Sequence, residues 1–239
     1  MLTTRVFLFA CWLMLVEGLM AAPFGRVIPI GGQASDLAID EPRGVLYIAN
    51  FTANRIEVMS LADGSIQTSI NVAAQPGSLS LSPDGRWLLI AHYGATPTGT
   101  AQRNSLTLID LTTNSRQNFV LSAPPLGVAF GLDNQALVVT TSDFLLFDPL
   151  LGTTRQLDTV QGVTAKTIPQ PAASFPSQIT TAAVGVSGDG LSVFGLTDTI
   201  RFRYDVNTKG IVSQGYTSTP AQAPRVVSVN RDGTRIAMG

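Results

Sequence analysis

An all-β fold is predicted by three features of this sequence. Beyond residue 22 no stretch of useful length carries a helical period, turn pairs that need positive φ recur, and one triplet returns at intervals of 42 to 56 residues. The triplet reads apolar, small, apolar. It stands at Leu37-Ala38-Ile39, Leu79-Ser80-Leu81, Val128-Ala129-Phe130, Val184-Gly185-Val186 and Val227-Ser228-Val229. A fixed recurrence of that length marks a supersecondary unit repeated along the chain, because one unit cannot bury its apolar face alone.

Each triplet predicts an inner strand that ends in a tight turn. The turns are Asp40-Glu41-Pro42-Arg43-Gly44, Ser82-Pro83-Asp84-Gly85, Asp133-Asn134, Ser187-Gly188-Asp189-Gly190 and Asn230-Arg231-Asp232-Gly233. Asp-Gly and Asn-type pairs supply the backbone that two-residue hairpins demand, and the turn aspartates are expected to cap the turn rather than to act as paired catalytic carboxylates.

The second strands follow as Val45 to Asn50, Trp87 to His92, Ala136 to Thr140 and Ser192 to Leu196, apolar on both faces. A strand greasy on both sides needs sheets above and below it. Third strands, at 55–59, 105–109, 144–147 and 200–204, read as more polar and more alternating. A second set of turns then leads to a mostly polar fourth strand, such as Ser65 to Ile70.

The gradient runs from a crowded inner strand through a doubly buried one to a wet outer one. That is the requirement of a β-propeller blade. The predicted architecture is therefore a propeller of four-stranded antiparallel blades, about four of them plus the start of a fifth. Blades are expected near 31–75, 76–124, 125–178, 179–222 and 223–239, within a domain spanning 22–239. The fifth unit stops inside its second strand, so the chain is expected to be the front part of a longer propeller whose remaining blades would cover its open faces. Two insertions, 94–104 and 164–178, are rich in turn formers and are expected on the surface.

Tyr47-Ile48-Ala49-Asn50, Asn54-Arg55-Ile56-Glu57-Val58, Ser82-Pro83-Asp84-Gly85-Arg86 and Ile109-Asp110-Leu111-Thr112-Thr113-Asn114 together resemble the YVTN class of bacterial propeller repeats. NHL and lactonase-like propellers are similar in the same places. The resemblance spans about 31–239, with blades three and four matching loosely. It implies the propeller fold and leaves activity open, because this architecture serves many functions.

Address and partners follow from composition. Residues 1–21 combine Arg5, an uncharged run from Val6 to Val16 and a small-residue stretch ending at Ala21 and Ala22, the layout of a secretory signal peptide. Cleavage after Ala21 would deliver a secreted or periplasmic protein, with no membrane span left after processing. Cys11, the single cysteine, falls inside this segment, so disulfides are not expected to stabilise the domain. With 15 basic and 16 acidic side chains, and only Lys166 and Lys209 as lysines, there is no basic field for nucleic acid or anionic lipid.

Catalytic motifs are sparse. His92 is the single histidine, which excludes the familiar zinc and Cys/His arrangements, and no glycine-rich phosphate loop is present. No cofactor or metal is expected. If a site exists, the end carrying the second-to-third-strand loops is favoured, with Asn50, Asn54, Arg55, His92, Tyr93, Arg103 and Asp143 as ligand-binding candidates. The expected role is a non-catalytic scaffold for a protein, small-molecule or carbohydrate ligand. One alternative is a lactonase-like or quinoprotein-like enzyme whose site is completed by further blades. Another is the propeller module of a larger surface adhesin.

Overall fold

The computed structural model describes residues 25–93, 104–166, 176–216 and 226–238. Its strands run in chain order. The first sheet holds β1 (Ala34–Asp40), β2 (Val45–Asn50), β3 (Arg55–Ser60) and β4 (Ile66–Asn71). The second holds β5 (Pro76–Leu81), β6 (Trp87–His92), β7 (Ser105–Asp110) and β8 (Ser115–Val120), and the third β9 (Pro125–Phe130), β10 (Ala136–Thr140), β11 (Asp143–Asp148) and β12 (Thr153–Thr159). The fourth holds β13 (Ala182–Val186), β14 (Ser192–Thr197), β15 (Ile200–Asp205) and β16 (Gly210–Tyr216), and β17 (Val227–Val229) pairs with β18 (Ile236–Met238).

Every pairing is antiparallel between consecutive strands. The inner strands meet in series, β1 against β5, β5 against β9, β9 against β13 and β13 against β17. Sheets that meet through their first strands radiate from an axis, so the fold is a β-propeller of four four-stranded blades and a further hairpin. The core lies between blades, as three apolar clusters filling the first, second and third seams.

The turns follow the sequence signals. Gly44, Gly85, Gly190 and Gly233 have positive φ, and Asn134 reaches φ 60° without glycine. Asp84 accepts from the Ser82 hydroxyl and the Arg86 amide, and Asp189 and Asp232 hold equivalent places in their own turns. These bonds, led by the Ser187 and Thr234 hydroxyls, hold the Asp189 and Asp232 carboxyls below their ordinary range.

Two expectations need correction. Third strands do not all alternate: every residue of β7 is buried, as in β6, because flanking blades cover both faces of the middle of the sheet. A helix is also present, α1 (Val160–Ala165), beginning directly after β12. Thr159 caps it by accepting from Gly162 N, and Val160, Val163 and Thr164 are buried. Six residues are too few for a periodic signal, so packing of the two valines into the third seam makes this helix. The leader segment and most of both insertions lie outside the described residues.

The seams differ in chemistry. In the first, Ser35 Oγ donates to Pro76 O at 2.6 Å, while the Asp36 carboxylate accepts from Ser78 Oγ and Leu79 N, both at 2.9 Å. In the second, Ser78 Oγ and Ser80 Oγ accept from the Val128 and Phe130 amides. Beyond that, glycine takes over. A Cβ on Gly185 would sit 2.7 Å from the Val227 carbonyl oxygen, so only glycine lets these inner strands approach.

Candidate functional site

The propeller has two ends. One carries the hairpin turns, and the other carries the second-to-third-strand loops and the links between blades. On the second end, the last residue of the second strand is Asn50, His92, Thr140 or Thr197 in blades one to four, and all four are at most 2% exposed. A polar side chain buried there must find partners close by.

Asn50 Nδ2 donates to Ile30 O and to Glu57 Oε1, both at 3.0 Å, and its Oδ1 accepts from Ala53 N. His92 Nδ1 lies 3.1 Å from Ala74 O and its Nε2 lies 2.8 Å from Thr107 Oγ1. A carbonyl oxygen only accepts, so Nδ1 carries the proton of the neutral ring. Burial lowers the His92 pKa from 6.5 to about 4, against the opposing pull of the Ala74 and Ala73 backbone. Thr140 Oγ1 accepts from Ser142 N and Asp143 N, and Thr197 Oγ1 does the same for Thr199 N and Ile200 N. Asn50, Thr140 and Thr197 thus close the loop that follows, whereas His92 ties the preceding link to the third strand.

Blades one and two extend this into buried polar chains. Glu57 is 1% exposed and receives Asn50, Arg55 Nε at 2.5 Å and the Ser69 hydroxyl. Burial pushes its carboxyl up, but those three donors outweigh it and the pKa settles below the ordinary value. In blade two, Thr107 occupies the Glu57 position and Asn118 the Ser69 position, 2.7 Å apart. The same third-strand position is Leu145 in blade three and Phe202 in blade four, and both are buried.

The remaining candidates are also occupied. Asn54 adopts φ 54° and its Oδ1 accepts from Gln75 N, which fixes the link into blade two. Tyr93 is exposed and donates its backbone amide to Gln75 O. Asp143 accepts from Ser142 Oγ and Gln156 Nε2. Arg103 lies outside the described residues. The structure therefore distributes the described candidates over three blades, each bonded to its own loop, link or neighbouring strand, and does not gather them into one pocket. Asn50 and His92, expected to face a ligand, are internal.

One concave feature among the described residues is the channel. Inner strands bound a cavity of about 660 Å³ walled by side chains that include Leu37, Ile39, Leu81 and Val186. Asp36 is the single ionisable side chain in that wall and also lines a smaller recess at the loop-bearing mouth. Burial raises its pKa against donation from the Leu79 and Leu37 amides and the Ser78 hydroxyl. Sequence reasoning missed Asp36. It stands directly before the first triplet, where the other units have Ser78, Gly127, Ala183 and Val226, and this break in the pattern was the available signal. Among the described residues no three His, Cys, Asp or Glu side chains group as a metal site, and no helix is long and apolar enough to cross a membrane.

No family model matches the chain. One curated relative, Antigen Lp49 of Leptospira interrogans, is 34% identical over 107 residues, which is 42% of this chain and 23% of that protein. Solved propellers align over nearly the whole chain at low identity. Hydrazine synthase of Kuenenia stuttgartiensis gives a TM-score of 0.65 at 15% identity, covering 91% of this chain and 58% of that one. The β-propeller domain of Cps50 (Swd1) from Myceliophteria thermophila gives 0.63 at 16%, covering 90% and 64%. The extracellular domain of the one-component system BT4673 from B. thetaiotaomicron gives 0.61 at 14%, covering 89% and 26%. These likenesses show the fold.

Proposed function

We propose that this chain is an exported, YVTN-type β-propeller acting as a binding scaffold without catalysis of its own. One observation carries the reading: the polar side chains that end the second strands are consumed in hydrogen bonds within the blades and their links, and Asp36, the single ionisable side chain in a channel wall of aliphatic residues, serines and a glycine, is already bonded to the next blade. A reactive site needs a general base or nucleophile free to reach a substrate, whereas a binding surface needs only shape and outward side chains. Export is supported by the charged start, apolar run and small residues of 1–21, and by likeness to a protein described as an antigen. The YVTN assignment is supported by Tyr47-Ile48-Ala49-Asn50 and the turns quoted above.

The test uses the full-length protein produced in a bacterial host. Export is checked by fractionation and N-terminal sequencing, with a chain beginning at Ala22 expected and a cytoplasmic chain beginning at Met1 contradicting it. Catalysis is checked with simple lactones and with a quinone cofactor plus alcohol substrates. Turnover abolished by Asp36→Asn would overturn the scaffold reading.

A further inference from the structure

Blade three departs from its neighbours at the hairpin-turn end. The turn between third and fourth strands carries Ala62-Asp63 at its tip in blade one, Thr112-Thr113 in blade two and Asn207-Thr208 in blade four, but Leu150-Leu151 in blade three. Hydroxyls at these places serve the turn. The Thr112 hydroxyl donates to Asp110 Oδ1 at 2.5 Å, and the Thr208 hydroxyl donates to Asp205 Oδ1 at 3.0 Å. The leucines offer only their amides, to Asp148 Oδ1 at 2.9 and 3.1 Å. Their side chains are 75% and 73% exposed, and Leu132, on the other hairpin turn of the same blade, is 53% exposed. One leucine in water is ordinary, whereas three on the two turns of a single blade make an apolar surface that the turns themselves do not use.

These turns border a groove of about 490 Å³ shared with blade two. Trp87 and Pro149, both buried, give it apolar lining, and the exposed Leu150 lines it as well. Three carboxylates also face it, those of Asp84, Asp133 and Asp148. The cation in the same lining, Arg86, is already engaged. Its guanidinium donates twice to Asp110 Oδ2, at 3.1 and 3.0 Å, and lies 4.3 Å from the centre of the Trp87 ring. Lys209 of blade four pairs with Asp133. Asp84 uses Oδ1 to hold its own turn, and its Oδ2 has no hydrogen-bond partner among the described residues. Four carboxylates thus stand against two cations, next to exposed leucines.

We propose that this groove and the leucines beside it are a docking site for an extended segment of a second protein, one that carries an arginine or lysine next to an aliphatic or aromatic side chain. The cation meets Asp84 and Asp148, and its apolar neighbour covers Leu150 and Leu151. Charge selects this partner. An anionic lipid surface is repelled by the same carboxylates, and two copies of this chain meeting through the same patch would set carboxylate against carboxylate. Docking here does not depend on an absence of catalysis, so this site and the scaffold reading fail separately.

The test is selection of displayed random peptides on the full-length protein, with counter-selection on the double variant Leu150→Thr/Leu151→Thr. Those substitutions give blade three the turn chemistry of blades two and four, so Tm should stay within about 2 °C. Enriched peptides should place a cation beside an apolar residue, and by fluorescence anisotropy they should bind the double variant at least about 10-fold more weakly. Asp84→Asn leaves a side chain that suits its turn, and it should weaken the same peptides about 3-fold at low salt, a difference erased at about 300 mM salt. Peptides that enrich equally on both proteins overturn the proposal, as do acidic peptides or no enrichment at all. Flotation with phosphatidylglycerol vesicles and analytical sedimentation complete the test. Vesicle binding or dimerisation that disappears in the double variant assigns the leucines to a membrane or to a second copy, and overturns the protein partner.

Discussion

Blades one and two bury polar chains at the place where blades three and four bury hydrocarbon. Asn50, Glu57 and Ser69 in blade one superimpose in register on His92, Thr107 and Asn118 in blade two, whereas Leu145 and Phe202 take the central position in the next two. The backbone is the same in all four. The difference teaches that the propeller fixes the shape of this slot and leaves its chemistry to whatever covers it. In blade one the cover is a chain segment offering the Ile30 carbonyl, while in blade four it is Phe144, edge-on to Phe202 at 4.9 Å.

Exchanging the two chemistries is the strongest way to break the comparison. Leu145→Glu places a carboxylate among the aliphatic side chains of the second seam, with no Arg55 equivalent, and should cost about 4 kcal/mol in denaturant unfolding. The converse Glu57→Leu removes a charge that has three donors and leaves Asn50 half-satisfied. A loss of about 2 kcal/mol is expected, and negligible losses in both exchanges would show that the slots are interchangeable. Gly195→Ala probes how blade four makes room, since its Cβ would fall 2.0 Å from Phe202 Cζ. It should cost about 2–3 kcal/mol, with partial rescue by Phe202→Leu.

Acid separates the two polar blades. The folded pKa of His92 is about 4 against 6.5 when free, so the unfolded chain takes up a proton first as pH falls. Stability should drop through the window from 6.5 to 4, by up to about 3 kcal/mol, and level off below it. His92→Asn should abolish that slope. Glu57 has a lowered pKa, so its contribution is present above its ordinary value of 4.5 and is lost only as pH falls further, leaving blade one intact in the window that weakens blade two. The smallest effect is expected at Asn54→Ala, which removes the cap on Gln75 N and strains a residue at φ 54°, for about 1 kcal/mol.

Strand order and turn positions were legible because they depend on spacing and on a few residues with strong backbone preferences. Ala38, Gly185 and the Asp-Gly pairs announce inner strands and hairpins whatever surrounds them. The polar slots were not legible. Asn50 and His92 stand at strand ends, where sequence alone does not tell an inward side chain from one reaching for a ligand. Their burial depends on Glu57 and Thr107, which are distant in sequence or look like surface residues. Asp36 was hidden for a related reason, because its partners Ser78 and Leu79 come from the following unit.

The seams carry one more lesson, for anyone who would rearrange this protein. Because serine and aspartate stitch the first two junctions and bare glycine backbone closes the later ones, no sheet can be exchanged for another without its downstream neighbour. Duplication can copy a blade in one step, but each copy must then be refitted at its border. Engineers moving loops onto this frame should therefore transplant adjoining sheets as couples.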